Sequence, residues 1–263
     1  RYGQWDSWYS DSENQFEQYQ NYFGHCENQK YVMEATPGYF EGKMKVAQTI
    51  KNILGDNVKI ILIFREPVSR LISFFKYKKS RLELDKNLSL IEYLRQCEAL
   101  SPQEKVKQEN DKYWGIEGGF YANYLEDWLN VFGQSVYITF FDELQNNPKL
   151  LISKICAWLE IDNAVFESKD LTVENKSLDY KNKYLQELAL WINLKAEKFW
   201  RANPGIKRDL RNVYYNLNNM PYEEEINQQT LNYLQSLYRP YNQKLAAQLL
   251  AVNHTELPQW LLF

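Results

Sequence analysis

The chain has 263 residues, enough for one α/β domain with insertions, and its 44% hydrophobic and 25% charged content is ordinary for a globular protein. A net charge of −3 argues against broad nucleic-acid binding but leaves room for a local basic pocket that takes one anionic ligand. No run approaches 18 apolar residues, which excludes a membrane-spanning helix; Cys26, Cys97 and Cys156 form no Cys-x-x-Cys pair, so neither a zinc site nor a disulfide framework is implied and a reducing cytoplasm is the default.

Aromatic residues make up 16% of the chain, with 20 Tyr and 8 Trp, which points to a tyrosine-rich surface or an aromatic-lined pocket without choosing between them. Phe16, Tyr19, Tyr22 and Phe23 have helical spacing, read either as a helix covering the sheet or as one facing an acceptor. Residues 31–36 read as a short strand entering a Thr-Pro-Gly turn. Residues 42–55 read as a helix (Met44, Ala47, Ile50, Ile53, Leu54) stopped by Gly55. The apolar run 58–64 has the pattern of a fully buried strand, and a helix is expected over 67–81 with Pro67 at its first position, where the missing N–H costs nothing.

At this junction Arg65 stands at the strand's carboxyl end, a helix start follows, and Ser73 comes eight residues later. A guanidinium grips phosphate bidentately, a helix start offers N–H donors, and serine adds a hydroxyl, so the stretch reads as an oxyanion site. The plainer alternative is a strand-to-helix junction whose arginine pairs with an acidic side chain.

Further on, the pattern predicts a helix over 89–100, a charged loop to residue 112, and a helix over 124–132 capped by Gly133. A buried strand over 136–141 and a Pro-led helix over 148–160 follow. The β-α-β-α order implies a parallel sheet with its ligand outside the strands' carboxyl ends. A long helix is expected over 180–201. The basic residues Lys207, Arg208 and Arg211 follow, read as a solvated helix face or as cations closing over a ligand, and a final helix spans 223–247. No repeat or linker composition divides the chain, so residues 1–263 are read as one domain, with 171–222 as a helical insert.

The stretch Arg65-Glu66-Pro67-Val68-Ser69-Arg70-Leu71-Ile72-Ser73 resembles the 3′-phosphate-binding motif of sulfotransferases that use 3′-phosphoadenosine-5′-phosphosulfate (PAPS). Glu34-Ala35-Thr36-Pro37-Gly38-Tyr39-Phe40 is similar to the Glu-Lys-(Ser/Thr)-Pro-x-Tyr-Phe segment of carbohydrate sulfotransferases related to the heparan sulfate enzymes, with Ala35 where the lysine stands. Gly-x-Tyr before a Leu-x-x-Trp helix, Asp142-Glu143-Leu144 after a strand, and the Leu257-Pro258-Gln259-Trp260 tail follow in the same order as in that family. The resemblance implies a P-loop-like three-layer α/β fold: a central parallel sheet flanked by helices, with 171–222 as a lid. It implies a PAPS-dependent sulfotransferase that releases adenosine 3′,5′-bisphosphate (PAP) and needs no metal. Arg65 and Ser73 would bind the 3′-phosphate, Arg70 would be structural or supporting, and Lys207, Arg208 and Arg211 would add cofactor contacts. Composition and the insert look more like bacterial natural-product enzymes than Golgi ones.

The phosphosulfate loop of that family, with its catalytic lysine, does not occur in these residues, and it and the main base are expected upstream of Arg1. Within the sequence Glu34 and His25 are the candidate bases; Glu34 also reads as an ion-pair partner, His25 as a surface or capping residue and His254 as structural. Three readings stay open. One is sulfation of a hydroxyl or amine on a small natural product, and another is sulfation of a β-hydroxyacyl chain carried by an acyl carrier protein. The third is a P-loop-type nucleotide kinase or a non-catalytic nucleotide-binding module. No nucleic-acid or membrane partner is expected.

Overall fold

The structure is a computed structural model that describes residues 20–21, 23–24, 26–169, 171, 179–222 and 226–262. The helical spacing over residues 16–23, His25 and the Asn175–x–Ser177 part of the insert fall wholly or mainly outside them. Residues 31–36, expected as a strand, are irregular, because no neighbouring strand pairs with them among the described residues.

Helix α1 (Lys43–Leu54) ends at Gly55, whose φ of 80° is open to glycine and whose N–H bonds the Lys51 carbonyl at 2.8 Å. Strand β1 (Ile60–Phe64) follows, then helix α2 (Pro67–Ser80), then helix α3 (Leu90–Ala99), which opens with a capping box between Ser89 and Glu92. The charged stretch expected as loop contains a one-turn helix (Pro102–Lys105) and a 3₁₀ segment (Gln108–Tyr113). Helix α4 (Leu125–Phe132) stops at Gly133, φ 51°, and leads into strand β2 (Val136–Phe140). Helices α5 (Phe141–Asn146) and α6 (Pro148–Leu159) complete this half.

Strands β1 and β2 run parallel and in register from Ile60↔Val136 to Phe64↔Phe140, so the described sheet is a two-strand parallel pair of α/β type. Leu62, Phe64, Ile138 and Phe140 face a core built with Tyr121, Leu125, Leu245, Leu249 and Trp260. The expectation of a fully buried strand fails at Ile63, which is 47% exposed. Side chains alternate across a strand, and among the described residues the face that carries Ile63 lacks the cover that Leu62 and Phe64 have.

The first element of the insert among the described residues is strand β3 (Asp179–Tyr180), and the expected long helix is broken at Ala196 into α7 (Lys183–Lys195) and α8 (Glu197–Ala202). Its start is shifted because the Asn182 side chain caps α7 by accepting from the Leu185 N–H at 3.1 Å. Helix α9 (Pro204–Asn218) leads into strand β4 (Asn219–Met220), which pairs antiparallel with β3. Helix α10 (Gln228–Ala251) starts where Asn227 caps the Thr230 N–H and runs through Pro240, held on the core by Leu234, Tyr238, Leu245 and Leu249. The tail returns to the sheet: Trp260 is buried and its indole N–H donates to Asp142 at 3.3 Å. No helix of the described residues is long and apolar enough to cross a membrane.

Candidate functional site

The parallel register dictates what surrounds Arg65. Because Phe64 sits opposite Phe140, the next residues, Arg65 and Phe141, leave the carboxyl ends of β1 and β2 side by side. The guanidinium carbon lies 4.7 Å from the Phe141 ring centroid, an arrangement in which the ring face attracts the cation while its N–H edges stay available. Tyr121, of the Gly-x-Tyr segment, fixes the same residue from below. Its ring stacks on Phe64 at 4.7 Å and its hydroxyl donates to the Arg65 carbonyl at 2.9 Å. Burial pushes that phenol up to about 12, so it remains a proton donor at neutral pH.

From Arg65 the chain enters α2, where residues three and four apart share a face. Arg65, Ser69, Ile72, Ser73 and Lys76 line one open pocket of about 280 Å³. A guanidinium, an ammonium and two hydroxyls offer donors and positive charge with no carboxylate among the described lining residues, which suits a phosphate dianion. A second cavity of about 250 Å³, lined by Lys149, Ile152, Ser153, Asn163 and Phe166, carries a single cation, and Ser153 and Asn163 there bond each other at 2.9 Å. The donor set, rather than the volume, singles out the pocket on α2.

One part of the sequence reading is corrected here. The first N–H groups of α2 are not offered to an anion: the Glu66 carboxylate accepts from Val68 N–H at 2.9 Å and from Ser69 N–H at 2.6 Å. Pro67 has no N–H, so the helix start is closed by its own cap. Anion binding in the pocket therefore falls to side chains.

Arg70, the second arginine of the stretch, points elsewhere and is structural. It donates to the Gly115 carbonyl at 3.0 Å and pairs with Glu41 at 3.6 Å. Gly118 is required by this packing, since a Cβ there would fall 1.8 Å from an Arg70 guanidinium nitrogen. Glu34 is exposed, does not line the pocket, and accepts from the Thr36 hydroxyl. Lys207 and Arg208 are exposed on α9, with Arg208 beside Asp209 at 3.5 Å; Arg211 is partly buried on the same helix, and none of the three lines the pocket. His254 packs edge-on against Phe140 at 5.5 Å, and burial lowers its proton affinity. Asp142 and Glu143 also serve the fold: Glu143 accepts from the Thr139 hydroxyl at 2.7 Å and Asp142 receives Trp260.

The sequence reading named Arg65 and Ser73, which line this pocket, and did not name Ser69 and Lys76 beside them or Phe141 against Arg65. Ser69 and Lys76 were visible in principle, since 69, 73 and 76 repeat at helical spacing after Arg65. Phe141 was not, because its place beside Arg65 depends on which strands pair.

A family model described as the sulfotransferase domain matches residues 7–208. The bifunctional heparan sulfate N-deacetylase/N-sulfotransferase 1 of Caenorhabditis briggsae is 25% identical over 144 residues, 52% of this chain and 16% of that protein. The chain thus spans only a small part of that relative's length. A crystal structure of a sulfotransferase from Alicyclobacillus acidocaldarius shares the fold, with a TM-score of 0.52 over 76% of this chain and 74% of that one at 20% identity. With the family model covering most of its length, this chain belongs to the sulfotransferase domain family.

Proposed function

We propose that the chain binds PAPS by its 3′-phosphate at Arg65 and Ser73 and transfers the sulfuryl group to a hydroxyl or amine of a small-molecule acceptor. The observation that carries this reading is the convergence of Arg65 and Ser73, eight residues apart in sequence, on one pocket at the carboxyl end of β1. The two-strand pair is read as part of a larger three-layer, P-loop-like sheet, which puts the pocket at the strand ends where such folds bind ligands. Bound PAPS supplies the activated sulfate, an in-line leaving-group chemistry that depends mostly on positioning and charge stabilisation.

The chain's own contribution at this pocket is recognition. The Arg65 guanidinium, held over Phe141 and tied through its carbonyl to Tyr121, presents two N–H groups to phosphate oxygens in a fixed orientation. Ser73 adds a hydroxyl from the next turn but one of α2. The described lining holds no carboxylate, so a base from elsewhere in the protein is assigned the acceptor's proton. An amine acceptor is favoured by one finding, the N-sulfotransferase named in the relative from C. briggsae.

Calorimetry with PAP and with AMP tests the assignment. PAP is expected to bind at least about tenfold tighter, or about 1.4 kcal/mol. Arg65→Ala should erase that preference while leaving the circular dichroism spectrum unchanged. A variant that still discriminates between the two nucleotides would falsify the placement of the 3′-phosphate at Arg65.

A further inference from the structure

Lys76 lies one turn beyond Ser73 on the pocket face of α2 and is half-buried. Its ammonium stands 4.3 Å from the centroid of the Tyr222 ring. Tyr222 follows strand β4 and so leaves the helical insert at this point. The tyrosine is itself held: the buried Lys79, whose ammonium donates to the Leu88 carbonyl at 2.6 Å, also donates to the Tyr222 hydroxyl at 3.3 Å.

Two physical facts give this arrangement a use. A phosphate monoester carries between one and two negative charges at neutral pH. Because Glu66 closes the start of α2, the helix contributes no N–H donors to offset that charge, and Arg65 alone supplies one positive charge. Lys76, on the same lining, supplies a second. A lysine head is a point charge on a flexible stem, and fixing such a stem costs side-chain entropy. Resting it on an aromatic face confines the stem before the ligand arrives.

We propose that Lys76 is a specificity-determining ligand of the 3′-phosphate, with Tyr222 as the positioning residue that holds it toward the pocket, so that the exit of the helical insert helps set nucleotide preference. This rests on the reading of Arg65 and Ser73 as the 3′-phosphate site. Lys76 acts by charge and Tyr222 by its ring, which separates their tests.

The experiment is calorimetric titration of the whole chain with PAP and with AMP. Lys76→Met keeps the apolar stem and removes only the charge; it should weaken PAP at least tenfold and leave AMP within twofold. Lys76→Arg should stay within a few-fold of the parent for both. Tyr222→Leu should weaken PAP several-fold, and Tyr222→Phe, which keeps the ring and loses the hydroxyl that Lys79 bonds, should restore most of that loss. If Arg65→Ala loses the PAP preference and Lys76→Met keeps it, the role of Lys76 is wrong and the 3′-phosphate site stands. Equal weakening of PAP and AMP by Lys76→Met overturns the specificity role, and a Phe variant as weak as the Leu variant overturns the positioning role. A parent protein that binds PAP no better than AMP overturns the underlying reading and this one together.

Discussion

Arg70 and Glu41 meet inside the protein, and their balance sets a pH dependence. Glu41 is nine-tenths buried, and burial pushes its carboxyl up to about 7, an effect that Arg70 at 3.6 Å only partly offsets. The unfolded carboxyl has its ordinary value of 4.5, so between about 4.5 and 7 the folded state holds the extra proton. Stability then falls as pH rises through that window, by on the order of 3 kcal/mol in full, and changes no further above it. Glu41→Gln removes the titration. Urea unfolding at pH 5 and pH 8 should therefore show the Gln variant gaining on the parent as pH rises. A parent-minus-variant difference that is the same at both values would mean that Glu41 ionisation is not linked to folding. None of this was legible beforehand. Arg70 was read as structural or supporting, but nothing in the sequence showed that Gly115 would meet its guanidinium by its carbonyl and Gly118 by its missing Cβ.

At the scale of the element, α2 combines two signals that the sequence presents as one. Arg-Glu-Pro after an apolar run was legible as strand, break and helix start, and the helix spans Pro67–Ser80 as the pattern implied. What the pattern could not decide was who would use the N–H groups of its first turn. A helix start attracts negative charge whether that charge is a ligand or the chain's own carboxylate, and Glu66, one residue before Pro67, is close enough to take both available donors. Glu66→Ala separates the two roles. Loss of the cap should cost about 1 kcal/mol of stability, read as a lowered thermal midpoint. Affinity for PAP should rise, because a negative charge leaves the neighbourhood of Arg65 and two N–H donors are released. Weaker PAP binding by this variant, in the manner expected of Arg65→Ala, would show that Glu66 assists the anion rather than competing with it. The pocket face itself was half legible: Ser73 came from the stretch as a whole, whereas Ser69 and Lys76 follow from it at helical spacing along the same helix.

The whole molecule divides into a core wrapped on the β1–β2 pair and an insert joined to it by polar contacts. Tyr180 is buried and Lys86 donates to its carbonyl at 2.7 Å, while Gln186 donates to the Ser80 carbonyl at 2.5 Å. Within the insert Asn218, only 1% exposed, donates to the Asn182 carbonyl at 3.1 Å and to the Tyr214 hydroxyl at 2.9 Å, and Tyr214 in turn bonds Gln186. The apolar side chains of these helices lie largely outside that network: Tyr184 is 80% exposed, Trp191 58% and Leu217 64%. That inversion explains why the sequence overestimated the insert's regularity, since apolar periodicity over 180–201 implied one long packed helix and the packing that would enforce it is polar. Burial of apolar surface is the main source of local stability, so an element that buries little of it opens at lower free energy than the core. Amide hydrogen exchange read by mass spectrometry should thus find Lys183–Asn218 peptides exchanging through partial openings while peptides from Pro67–Ser80 and from the Leu234 to Leu249 part of α10 exchange only with global unfolding. Tyr180→Ala should speed exchange in the insert by tenfold or more and leave the core peptides unchanged. If instead the insert and core peptides slow and speed together, the polar tether through Tyr180, Gln186 and Asn218 binds the two parts into one cooperative unit, and the pocket on α2 would lose rigidity whenever the insert is disturbed.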